Sequence, residues 1–201
     1  MIRIRPLGPD DWAAIEHLFG TRGACGGCWC MAWRRESSAE FKKNQGAPNK
    51  RAFKRLVGKE AALGCLAFDG ERPVGWCSVG PRASFKLLER KRVYRTPWNE
   101  KTWSITCFVI AREARGKGVA TALARAAAEL AFANDAEVVE GYPALTPKDG
   151  KALPPVFAWT GVPGVFKGAG FKPHPNNPRV WVVIPSREDG EESGRRKRAT
   201  A

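Results

Sequence analysis

Residues 103–133 constrain what this chain can fold into more than any other stretch. An apolar run, Trp103 to Ile110, leads into Arg115-Gly116-Lys117-Gly118, and an alanine- and leucine-rich run then continues to Ala133. The first run predicts a strand, the glycine pair a turn, and the spacing of Leu123, Ala127, Leu130 and Ala131 a helix over residues 116–133. A helix start presents backbone N–H groups with a partial positive charge, and glycines let an anion approach the main chain without meeting a β-carbon. Arg115 and Lys117 add full charges, so the unit predicts a phosphate site. Two familiar phosphate loops fail on spacing. A Walker loop needs Ser or Thr after the lysine, where Gly118 stands, and a dinucleotide fingerprint needs a third glycine where Thr121 stands.

With 201 residues, 43% of them apolar, the chain can bury one sizeable core. We expect one domain over residues 1–185 and a polar tail over 186–201 that buries too little to order itself. No apolar run is long enough to cross a membrane, and Met1-Ile2-Arg3-Ile4-Arg5 alternates like a strand rather than an export signal, so a cytoplasmic location is expected. Six cysteines, three crowded at Cys25, Cys28 and Cys30, do not make a disulfide scaffold, and reduced thiols follow. The net charge of +14 raises the local concentration of anions. Its excess lies in Lys42–Lys59 and Arg82–Lys101, both expected to flank a cleft.

The remaining pattern alternates short strands and helices. Ile2–Leu7 reads as a strand and Pro9–Phe19 as a helix with Trp12, Ile15, Leu18 and Phe19 on one stripe. A Gly/Cys-rich loop over residues 20–34 precedes a basic segment, helical in two pieces broken around Gly46-Ala47-Pro48. Ala61–Phe68 and Val74–Val79 predict a hairpin turned at Asp69-Gly70. Beyond the central helix come a strand at Glu137–Tyr142, a proline-rich loop over residues 143–155, a short helix at Val162–Gly168, and strands at Phe171 and Val180–Ile184.

Arg115, Gly118 and Ala120 match the Arg/Gln-x-x-Gly-x-Gly/Ala motif, and with the strand before, the helix after and Gly170-Phe171 near the end the chain resembles the GNAT superfamily of N-acetyltransferases over residues 2–185. The Cys/Trp-rich segment Cys28-Trp29-Cys30-Met31-Ala32-Trp33-Arg34 resembles that of a bacterial subgroup. The resemblance implies a mixed α+β fold, with helices on both faces of a mostly antiparallel, twisted sheet whose middle strands splay apart. It also implies acetyl-CoA as acetyl donor and a small-molecule or peptide amine as acceptor, in a monomer or a homodimer. Phe108, Val109 and Ile110 would pair with pantetheine, while Arg115, Gly116, Lys117, Gly118, Val119 and Ala120 would hold the pyrophosphate.

Direct transfer needs a base, an oxyanion donor and an acid for the leaving thiolate. Many relatives place a tyrosine four residues before the late glycine as that acid, but this chain has Phe166. Tyr142 and Thr160 are the replacement candidates, Tyr142 first. Glu140 alternates onto the same strand face as Tyr142 and is the candidate base, and a backbone N–H near Phe108 is the candidate oxyanion donor. Cys107 precedes the pantetheine residues, with packing and a covalent acetyl step as its two readings. Cys25, Cys28 and Cys30 could hold a soft metal only with a fourth ligand that the spacing does not supply. The other reading has the loop lining the acceptor pocket, with Trp29, Trp33 and Arg34 suiting a partly apolar acceptor that carries an anion. A catalytically silent acyl-CoA sensor and, from the charge and eight tryptophans, a nucleic-acid-binding module are the alternatives, although no nucleic-acid-binding signature is present.

Overall fold

The structure is a computed structural model that describes residues 1–59, 64–145, 153–154 and 157–185. Seven strands form one sheet: β1 (Ile2–Pro6), β2 (Gly64–Asp69), β3 (Arg72–Pro81), β4 (Thr102–Ile110), β5 (Val138–Gly141), β6 (Lys172–His174) and β7 (Asn177–Val183). Their order is β1-β2-β3-β4-β5-β7-β6, and every neighbouring pair is antiparallel except β4 and β5. Among the described residues six α-helices accompany the sheet: α1 (Trp12–Phe19), α2 (Ser38–Lys43), α3 (Ala47–Val57), α4 (Lys86–Glu89), α5 (Val119–Ala133) and α6 (Pro163–Gly168). This is the mixed, mostly antiparallel α+β sheet that the resemblance implied.

Strand alternation sorts the core into two layers. Cys65 and Ala67 of β2, Cys77 and Val79 of β3, and Ile105 of β4 turn toward Leu123, Ala124, Ala127 and Ala131 of α5. Leu66, Phe68 and Trp76 turn the other way, onto Ile15 and Phe19 of α1 and Phe53 and Val57 of α3. Helix α5 comes close to the sheet at Gly75, where a β-carbon would lie 2.9 Å from Leu123.

The middle of the sheet opens. Strands β4 and β5 pair only from Thr102↔Val138 to Ile105↔Gly141, while β4 continues to Ile110 along β3. A register shift of the β3–β4 ladder between Ser78 and Val79 marks a bulge next to the point of separation, a common device for bending a strand beside a site. The splay expected of the middle strands is therefore present.

Three expectations shift in detail. The hairpin turns on Gly70-Glu71, with Gly70 at φ 59°, because Asp69 pairs with Arg72. Helix α5 begins at Val119 rather than Gly116, since Gly116 and Gly118 adopt φ of 72° and 76° and cannot continue a right-handed helix. The opening helix is preceded by a 3₁₀ turn at Pro9–Asp11, pinned by Asp11 accepting a hydrogen bond from Gly8 N at 2.7 Å. The start of the strand expected from Ala61, most of the proline-rich loop and the tail lie outside the described residues. Among the described residues no helix is long and apolar enough to cross a membrane.

Candidate active site

Strand β4 and the turn into α5 set the geometry. The Phe108 N–H points away from β3, donating to Trp159 O at 2.7 Å, while the Ala111 N–H turns back to Val74 O. Alternation along the strand therefore places the Phe108 carbonyl and the Ile110 N–H on the gap side. Gly118 is the N-cap of α5, in a left-handed conformation that caps no N–H with a side chain, so the first turn's donors face outward. A β-carbon at Gly116 or Gly118 would meet nothing within 4 Å, so the turn is open to a ligand. Arg115 is steadied by its Nε bond to Ile110 O at 3.1 Å.

A cavity of about 850 Å³ runs along this strand, within the range of cofactor sites. Cys107, Phe108, Val109 and Ile110 form one wall, and Arg115 and Ala120 mark its phosphate-loop end. Cys25, Cys28 and Cys30 line the opposite side, Phe41 and Gln45 come from the basic segment around α2, and Trp159, Gly161, Val162 and Val165 close the floor. Of the residues proposed for the donor, Phe108, Val109, Ile110, Arg115 and Ala120 line the cavity; Gly116, Lys117, Gly118 and Val119 lie in the turn and the first residue of α5 behind it.

The cysteines form a coupled group within that cavity. Cys30 Sγ accepts a hydrogen bond from Trp76 Nε1 at 2.9 Å. Burial pushes the Cys30 thiol up, but hydrogen bonds to Cys107 and Trp76, the charge of Arg34 and a bond with Ser78 outweigh burial and hold it below the usual thiol range. Its neighbours keep their protons: burial and the Cys30 charge push Cys28 up to about 12, and the bond to Cys30 with burial raises Cys107 well above its ordinary value. Among the described residues no three ligating side chains converge on a metal position.

Glu140 and Tyr142 do share a face, as alternation requires, and Tyr142 OH donates to Glu140 Oε2 at 2.7 Å. Both are sealed in the interior and neither lines the cavity. The buried Arg82 pairs with Glu140 and donates to Tyr142 OH at 3.0 Å, Thr96 Oγ1 donates to the second carboxylate oxygen, and Ser104 Oγ lies 2.8 Å from Tyr142 OH. Burial, reinforced by the Glu140 charge, raises the Tyr142 hydroxyl well above its ordinary value. A base must reach the proton it takes, and this carboxylate is committed to Arg82 and Thr96. The arrangement ties β5 to the segment that follows β3, which corrects the expectation that these two residues look into the cleft.

A model of the acetyltransferase (GNAT) family matches residues 30–143. The chain belongs to the GNAT acetyltransferase family. Among solved structures, it resembles the aminoglycoside acetyltransferase AAC(6')-Ib in complex with paromomycin and acetyl-CoA, at 16% identity over 94% of this chain and 96% of that one, with a TM-score of 0.53. The same enzyme with coenzyme A and kanamycin aligns at 17% identity over 96% and 98% of the two chains, with a TM-score of 0.50. An N-acetyltransferase from Staphylococcus aureus Mu50 aligns at 12% identity over 92% and 98%, with a TM-score of 0.52. At these identities the likeness is one of fold. A comparison with curated proteins finds no match.

In this GNAT chain the aromatic residues of the 20–34 loop face away from the cavity. Trp29 is buried between α1 and α3, stacked on Trp12 at 5.8 Å and beside Phe19 at 5.7 Å. Trp33 packs on Trp159 at 5.5 Å and donates through Nε1 to Thr106 O at 3.2 Å, so it braces the splayed strand just past the point where β4 leaves β5, without lining the cavity. Arg34 lies over the Phe85 ring at 4.5 Å, with Nε and Nη2 buried and unpartnered among the described residues. The expectation that Trp29, Trp33 and Arg34 line the pocket is thus replaced by a lining of cysteines and small residues. Left-handed backbone at Ala24 (φ 68°), Trp29 (φ 46°) and Cys30 (φ 55°) re-aims the side chains.

Phe166 is fully buried against Phe108 and Phe171, and a β-carbon at Gly141 would lie 2.1 Å from its ring. Among the described residues no hydroxyl takes its place at the cavity, and Thr160 is buried without lining it. Sequence reasoning missed Arg82, which reads as one more cation in a basic connection, and Trp159, whose carbonyl accepts from the Phe108 N–H, one of the backbone donors in the region expected to serve an oxyanion.

Proposed function

We propose that this protein is an acetyl-CoA-dependent N-acetyltransferase that transfers the acetyl group to a primary amine by direct attack in a ternary complex. The observation that carries the reading is the continuous cavity from Cys107–Ile110 of β4 to Arg115 and Ala120 at the uncapped start of α5. Pantetheine would extend the sheet edge through the Phe108 carbonyl and the Ile110 N–H, and the pyrophosphate would meet the N–H groups of residues 116–120. The Cys/small-residue side of the cavity would hold the acceptor. Structural neighbours bound to kanamycin and paromomycin favour a small-molecule amine. Glu140 and Tyr142 then serve by fixing β5, with Arg82 as their counter-charge.

The test is thiol release from acetyl-CoA across a panel of amines, aminoglycosides included, with initial rates at varied concentrations of both substrates. Turnover with intersecting double-reciprocal lines is expected. Phe166, which brings no hydroxyl to the cavity, favours a second reading as an acyl-CoA sensor; tight acetyl-CoA binding with no turnover on any amine would establish that instead.

A further inference from the structure

Titratable groups are scarce around the cavity. Apart from Arg115, the described lining offers only thiols: Cys25, Cys28, Cys30 and Cys107. One of the four is prepared for chemistry in three ways. Cys30 Sγ receives the Trp76 indole N–H at 2.9 Å, a short approach to sulfur that suits a thiolate. The neighbouring Cys107 and Ser78 side chains favour its charged form, and the Arg34 guanidinium, which has no carboxylate partner among the described residues, acts on it by charge. The Cys30 backbone is left-handed at φ 55°, directly after Trp29 at φ 46°, and consecutive non-glycine residues in that region store strain of the kind found at functional sites.

Its position matches this preparation. Cys107, which lines the same cavity as Cys30 and feels its charge, immediately precedes Phe108–Ile110, so Cys30 stands where the inner end of an extended thioester would arrive.

We propose that Cys30 is a second acyl acceptor of this protein, taking the acetyl group from acetyl-CoA to form S-acetyl-Cys30. This rests on the acetyl-CoA reading and goes beyond it by adding a self-acylation activity. Cys30 Sγ, as thiolate, attacks the thioester carbonyl carbon; the new S–C bond forms, the bond from that carbon to the CoA sulfur breaks, and CoA leaves as thiolate. The proton that Cys30 gave up returns to the CoA sulfur, so one thioester and one thiol become another thioester and thiol, with no further reactant. Loss of the Trp76 donor leaves less of Cys30 in the thiolate form, since hydrogen bonds to charged groups are the stronger ones.

The experiment incubates the full chain with acetyl-CoA and no amine, then maps the adduct by peptide mass spectrometry, with calorimetry of acetyl-CoA on the same sample. One hydroxylamine-labile acetyl group on Cys30, absent from Cys30→Ser and formed about tenfold more slowly in Trp76→Phe, is expected. The wild-type map stands even if Cys30→Ser fails to fold. An adduct on another cysteine or on lysine overturns the proposal. Acetyl-CoA binding with no adduct overturns it while leaving the proposed function intact, and absence of binding overturns both.

Discussion

The two walls of the cavity are built in different ways. On the donor side, main-chain groups do the work: a strand edge at Phe108–Ile110, two left-handed glycines and the uncapped start of α5. On the facing side, side chains do it: Cys30 lines the cavity and is set by Trp76, while outside the lining Trp33 holds Thr106 and Arg82 ties down β5 through Glu140 and Tyr142. A main-chain site tolerates changes of side chain as long as the backbone path is kept, whereas a side-chain site fails when one partner is removed. Within one fold, the donor half can stay constant while the acceptor half diverges.

Three substitutions test that contrast. Glu140→Ala removes the buried counter-charge of Arg82 and leaves it only the half-buried Glu89, and is expected to cost about 3 kcal/mol of stability, read from denaturant unfolding. A loss of activity with unchanged stability would show instead that Glu140 acts on the substrate. Trp33→Phe keeps the ring but removes its bond to the Thr106 carbonyl, with an expected cost of about 1–3 kcal/mol by the same method. Val109→Ile, a small enlargement on the donor strand, is expected to change acetyl-CoA affinity less than about threefold by calorimetry, because recognition there runs through the backbone.

The smallest effect concerns pH, in the β1–α1 corner beneath the acceptor loop. Arg5 binds Asp11 through two hydrogen bonds, one of them 2.6 Å, and this contact more than offsets burial and holds the Asp11 carboxyl below the usual carboxylate range. A lowered carboxylate contributes stability above its unfolded pKa and loses it as pH falls through the folded one. The melting temperature should therefore drop between pH 5 and pH 3 slightly more for the wild type than for Asp11→Asn. Equal drops would show that the pair contributes nothing.

Legibility from sequence follows the same division. The strand, turn and helix of residues 102–133 are contiguous, so propensity and spacing expose them, and the hairpin and α6 follow for the same reason. Glu140 meets Arg82 across 58 residues and Trp33 meets Thr106 across 73, and no local pattern says which buried polar group another will find. The Cys/Trp loop misleads for a different reason. Its tryptophans would face a ligand if the chain ran in ordinary conformations, but the left-handed Trp29 and Cys30 turn the rings into the core and the thiols toward the cavity.

The central claim is that acetyl-CoA lies along β4 with its pyrophosphate at the start of α5. Isothermal titration of acetyl-CoA into the wild type and into Gly118→Glu tests it most directly. The glutamate costs about 1–2 kcal/mol in left-handed strain but its β-carbon meets no atom within 4 Å, so the variant should still fold. Its carboxylate would face the phosphates, and affinity is expected to fall about a hundredfold or more, close to 3 kcal/mol. An unchanged affinity in the folded variant would contradict the account.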